Sequence, residues 1–148
     1  MTLLLLQAAA TLMLTGLIWT VQLLHYPLMD GVGGEAFAPY HARHTRRMTW
    51  IVALLMPAEL LASAWIVFAL PARISPALAW AGLALVLVVW AATAALSVPA
   101  HARLAQGFDA RAHRRLVHTN WIRTVAWSLR AVIALWMISI QAAGPLEG

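Results

Sequence analysis

The chain contains no cysteine and no lysine, and only five acidic residues and two tyrosines among 148. Without cysteine there can be no disulfide, no iron–sulfur cluster and no thiolate metal site. Charged residues make up 10% of the chain, where a soluble domain carries about 25%. Ten arginines against five acids leave a net charge of +5. So little total charge argues against nucleic acid as the partner and points to a membrane face or an acidic ligand.

What fills the chain instead is apolar. Hydrophobic residues account for 63% of it, and the mean hydropathy is +0.79. A span needs about 20 consecutive apolar residues, and four such stretches are legible. They cover about 2–24, 49–70, 76–98 and 120–143, with Pro71, Pro99 and the Gly144-Pro145 pair as stops. The expected fold is all-α, a bundle of four transmembrane helices forming one domain over 1–148. Ala8-Ala9-Ala10 has the look of a cleavage site, but no basic segment precedes the first span, so a removed signal peptide is not expected.

Both longer connections, 25–48 and 100–119, fall on the same side of such a bundle. They hold Arg43, Arg46, Arg47, Arg103, Arg111, Arg114 and Arg115, against Arg73 alone on the other side. By the positive-inside rule the loops are cytoplasmic and both termini lie outside, as in a bacterial-type inner membrane. Trp50 and Trp121 on one side, with Trp65 and Trp80 on the other, suit interfacial belts. Segments 35–47 and 110–118 are expected as short helices on the membrane surface, their arginines facing water and lipid phosphate.

All six histidines lie on the arginine-rich side. His25 ends the first span, His101 the third, and His118 opens the fourth; His41 and His44 share a helical face at i, i+3. Histidine is the commonest nitrogen ligand for zinc, copper and iron. Each span also carries one polar stripe at helical spacing. These are Thr15, Trp19, Gln22 and His25; Thr49, Val52, Met56, Glu59 and Ser63; Thr93, Ser97 and His101; and Asn120, Arg123, Trp127 and Arg130.

Glu59 and Arg130 each lie nine residues beyond a belt tryptophan, about 13–14 Å deeper at helical rise. An ionised residue at mid-helix costs about 2.5–3.5 kcal/mol on insertion scales. Two opposite charges at one depth predict a Glu59–Arg130 salt bridge, direct or through a water or ligand. Pro57, two residues before Glu59, predicts a kink there. Asn120 is expected to cap the fourth helix. Arg123, one turn in, offers a planar donor fork to a carboxylate, phosphate, enolate or quinone oxygen.

The His25-Tyr26-Pro27 exit, the Tyr40/Arg46 region and the Asn120-x-x-Arg123 start together resemble the anthrone-oxygenase-like family of small four-helix membrane proteins, over residues 1–50 and 115–135. The resemblance implies a four-helix membrane bundle and oxidation of a polycyclic phenolic carbon by oxygen.

The leading functional expectation is a membrane-embedded oxidoreductase or oxygenase for a hydrophobic small molecule. Iron or copper would be held by a subset of His25, His41, His44, His101, His118 and Glu59, or a haem by His25, His101 and His118. Glu59, Arg123 and Arg130 are the candidate catalytic residues, the arginines stabilising developing negative charge. Two alternatives remain open. One is a proton or small-anion pathway through Glu59 and Arg130, which needs a homo-oligomer to widen it. The other is an accessory subunit of a larger membrane complex.

Overall fold

A computed structural model describes residues 1–143; the Gly144-Pro145 stop lies outside them. Every element among the described residues is helical. Helix α1 covers Thr2–Thr20 and runs into a π-helical turn, Val21–His25, then a 3₁₀ turn, Pro27–Gly31. Helix α2 covers Gly34–Phe68 and α3 covers Pro76–Ala92. A second π-helical turn, Thr93–Ser97, leads into α4, Val98–Leu104, and α5 covers Ala110–Ala142. The stretches Thr2–Gly31, Gly34–Phe68, Pro76–Leu104 and Ala110–Ala142 are each long and apolar enough to cross a membrane. In hydrocarbon only a helix can satisfy the backbone of a lone segment, which is why such runs fold this way.

The helices form a ring. Helix α1 packs on α2 and α5, and α3 packs on the same two, so α2 and α5 face each other diagonally. Leu14, Ile18, Met29, Phe37, Leu104, Leu116 and Trp127 belong to the core at the histidine end. A smaller core of Leu4, Ile66, Ile74, Ala79 and Met137 closes the other end.

Local chemistry sets the helix starts. Ser75 accepts from the Leu78 amide, with Pro76 supplying a preset φ at the first helical position. Asp109 Oδ1 accepts from the amides of Arg111 and Ala112, both at 2.8 Å. The Ala112 bond is the main reason its carboxyl is held below the usual carboxylate range. Gly107, at φ 135°, takes the left-handed turn that feeds this cap.

Three expectations are corrected. Segments 35–47 and 110–118 are not separate surface helices, because each continues without a break into the span that follows it. Asn120 therefore lies inside α5, and Asp109 is the cap. Pro99 does not stop the third span either: the helical backbone runs on through it, as the second residue of α4, to Leu104. Helix α2 likewise continues through Pro39 and Pro57.

Gly82 lets α3 approach α5 closely. A Cβ at this position would stand 3.3 Å from Arg130 Nη1 and 3.5 Å from Ile133 Cγ2. Gly82→Leu is expected to destabilise the bundle by about 1–3 kcal/mol through overpacking. Denaturant unfolding in detergent, compared with Ala81→Leu on the exposed face, measures it.

Candidate functional site

The two π-helical turns lie where the bundle becomes polar. Such turns add a residue to the helical repeat and often mark functional sites. Val21, Gln22 and Tyr26 are buried along this turn. On the other side, Thr93 and Ser97 bracket the second turn and face the same space.

That space is a cavity of about 260 Å³. Leu17, Ile18, Val21, Val52 and Met56 make its walls apolar, and Trp127 lines it as well. Its polar face carries Tyr26, His44, His101, Thr93, Ser97 and Arg123.

A hydrogen-bonded chain leads away from this face. The Tyr26 hydroxyl is 2.9 Å from His101 Nε2, and His101 Nδ1 is 3.0 Å from His41 Nε2. Arg123 donates to the Tyr26 oxygen at 3.4 Å, and a guanidinium cannot accept. The tyrosine O–H then has one acceptor within reach, His101 Nε2. His101 Nδ1–H in turn donates to His41 Nε2, and the proton of neutral His41 sits on Nδ1, which is buried and has no protein partner. These tautomers are assigned from the network. His113 Nε2 donates to the Tyr26 carbonyl at 2.7 Å and fixes the exit of the first span.

Arg123 is held from below by Asn120, whose side-chain oxygen accepts from both its Nε and its Nη2. Asn120 donates to Gln22 Oε1 at 2.8 Å, and Gln22 donates to the Val117 carbonyl at 3.3 Å. The contacts from Arg123 to Tyr26 and to Thr93 are both 3.4 Å, so these are weak bonds. The fork is oriented but keeps donors that a ligand oxygen can take over.

Beside the chain, the His25 and His44 rings stack at 4.2 Å, with Tyr40 stacked on His25 at 6.2 Å. Four of the expected histidines, His25, His41, His44 and His101, thus come together. His118 does not: it is exposed on α5. Glu59 does not join them either. Its Oε1 accepts from Thr11 at 2.6 Å and its Oε2 from the Trp127 indole at 2.9 Å. Trp127 therefore separates the cavity from a deeper polar layer.

In that layer the direct Glu59–Arg130 salt bridge is not formed. Arg130 Nη2 donates instead to Ser63 at 3.3 Å, and Gln7 donates to the same hydroxyl at 3.0 Å. The physical reason is register. Glu59 pairs with residue 127 and Ser63 with residue 130, an offset of 67–68 between the two helices. Trp50 and Trp121 are offset by 71, so the two belts are not at one depth and Arg130 lies about one turn beyond Glu59. Gln7 and Thr11, absent from the expected stripe of the first span, are its buried polar residues at this depth. Their i, i+4 spacing, continuing to Thr15, was the available signal.

Among the described residues no group of three His, Cys, Asp or Glu side chains is placed to hold a metal ion. Of the three histidines expected at a haem, His25 and His101 lie in the cluster around His44, and His118 lies apart from it. His41 and His101 are joined by a hydrogen bond, and His25 and His44 by ring stacking. No protein-family model, curated protein or solved structure matches the chain.

Trp127→Phe is expected to leave one Glu59 oxygen without a partner and to cost about 1–3 kcal/mol. Unfolding of the purified protein in mixed detergent micelles measures it. A cost no larger than that of Trp136→Phe on the exposed face would show that the Glu59 bond adds nothing.

Proposed function

We propose that the chain is a membrane-embedded oxidoreductase for a hydrophobic small molecule bearing an ionisable oxygen, such as a phenol, enol or quinol. The observation that carries this reading is the apolar cavity whose polar face is the Arg123–Tyr26–His101–His41 chain. The apolar walls take up the body of the molecule, and a cavity of about 260 Å³ suits one to three fused rings.

The proton steps follow from the tautomers. The substrate O–H donates to the Tyr26 oxygen as the tyrosine proton passes to His101 Nε2. The proton on His101 Nδ1 moves to His41 Nε2, leaving His41 as imidazolium, His101 in its other neutral tautomer and Tyr26 neutral again. Arg123 shifts its Nη donors from Tyr26 and Thr93 to the new oxyanion, which it stabilises without reorganising its Asn120 anchor. A phenolate or enolate is the electron-rich form from which an oxidant such as oxygen takes electrons. The likeness to the anthrone-oxygenase-like family points the same way. The arginine excess around this end favours a cytoplasmic placement of the site in an inner membrane, with both termini outside.

The test uses 1,8-dihydroxyanthraquinone, whose colour reports ionisation, with the protein in dodecyl maltoside. Bound probe is expected to ionise about one pH unit or more below probe in empty micelles, as one charge-assisted hydrogen bond requires. Arg123→Gln should abolish that shift while binding persists, and Met56→Trp, which fills the cavity, should abolish binding. No saturable binding, or a shift untouched in Arg123→Gln, would overturn the reading.

A further inference from the structure

A second cleft lies on the outer surface of the same end, between the close of α4 and the opening of α5. It measures about 290 Å³ and is lined by Pro99, Ala100, Arg103, Asp109, Arg111 and Arg115, among others. Arg111 and Arg115 are spaced i, i+4 and share one face of α5, while Arg103 reaches the cleft from α4. Like charges at i, i+4 repel, so this pair carries a small electrostatic penalty.

The protein offsets little of that charge. Asp109 is the only acid lining the cleft, and its Oδ1 is committed to the two amides it caps. Its Oδ2 stands 3.7 Å from Arg103 Nη2, too far for a hydrogen bond, and this is the only ion pair among the described residues. Three guanidiniums against one carboxylate leave two positive charges facing one cleft. Guanidinium forks match the tetrahedral oxygens of phosphate in pairs.

Depth adds the rest. Arg103 lies in the last turn of the stretch Pro76–Leu104, and Asp109 and Arg111 stand at the start of the next, so the cleft opens at the charged end of two spans, where a membrane's phosphates lie. Basic pockets between membrane helices are a known setting for anionic headgroups.

We propose that the Arg103–Arg111–Arg115 cleft is a binding site for an anionic phosphate group, as carried by an acidic lipid headgroup or by free phosphate. The site is separate from the cavity, and its occupancy does not depend on the function proposed above. A bound phosphate bridges α4 to α5 and replaces the repulsion between Arg111 and Arg115 with shared attraction. Asp109 limits affinity, because its carboxylate faces the same anion.

The experiment uses the full chain. Retention of lipid is followed by native mass spectrometry after exchange from phosphatidylcholine nanodiscs containing a minor fraction of phosphatidylglycerol or diphosphatidylglycerol. Inorganic phosphate is titrated separately on the lipid-free protein in detergent, with thermal stability as readout. One anionic lipid should be retained saturably. The R103Q/R111Q/R115Q triple should weaken this at least about tenfold, at roughly fivefold per arginine before screening. The R43Q/R46Q/R47Q triple, equal in charge change, should not. Asp109→Asn, which keeps a good capping side chain, should tighten binding severalfold. Saturation by inorganic phosphate alone, with the same dependence on the variants, would support the site and assign it to free phosphate. Equal loss in both triples, no loss in either, or no gain in Asp109→Asn would overturn it. All affected side chains are exposed or half-buried, and an unchanged melting temperature in phosphatidylcholine alone confirms that each variant is folded.

Discussion

The interior of this bundle is organised by one row of side chains on α5: Asn120, Arg123, Trp127 and Arg130, each nearly or fully buried. A hydrocarbon environment offers these groups no water, so every neighbouring helix has to present a partner at the right height. Gln22 meets Asn120, Tyr26 and Thr93 meet Arg123, Glu59 meets Trp127 and Ser63 meets Arg130. Interhelical hydrogen bonds in membranes average only about 0.6 kcal/mol each. Their weight here lies in register: a slide of one residue by any helix strands a buried polar atom. The diagonal placement of α2 and α5 explains the choice of residues, since only long side chains such as Trp and Arg reach across the ring.

The same row divides the interior into two chambers with different chemistry. Toward the histidine end, weakly bonded donors and a directed tyrosine–histidine chain surround an open apolar space. Beyond Trp127, the Thr11–Glu59 and Gln7–Ser63–Arg130 groups are closely packed, with Gly82 giving Arg130 just enough room. Two opposite charges share this lower layer without touching, and Arg130 Nε and Nη1 and Gln7 Oε1 have no protein partner. A buried water satisfies such groups where it finds two or more of them within reach. The upper chamber keeps weakly held Arg123 donors beside open space, whereas in the lower layer Glu59 and Ser63 are engaged and Arg130 Nε and Nη1 are not.

Much of this was written in the order of residues. Apolar runs of span length fix four helices, since no other lone segment survives in hydrocarbon. The stripe of α5 was legible in full because all four of its members are polar or amphipathic at i, i+3, i+7 and i+10. The clustering of His25, His41, His44 and His101 was legible from their shared end of the molecule. Polarity alone could not show that segments 35–47 and 110–118 continue the spans, because an amphipathic stretch reads the same lying on a surface or standing off it. Tyr26 was legible only as part of the His25-Tyr26-Pro27 exit; its burial beside His101 is decided by packing.

The sequence by itself determined the number of spans, the charged end and the inward face of the last span, because these follow from hydropathy and helical period; in the first span Gln7 and Thr11 are buried while Trp19, placed in its expected stripe, is 38% exposed. Only the tertiary structure decided which polar groups meet. Depth counted from belt tryptophans put Glu59 opposite Arg130, whereas packing put it opposite Trp127. Axial register between helices is a property of side-chain fit across the ring, and a shift of one turn, about 5.4 Å, exchanges one partner for the next. That single turn separates a salt bridge from a partition between two chambers.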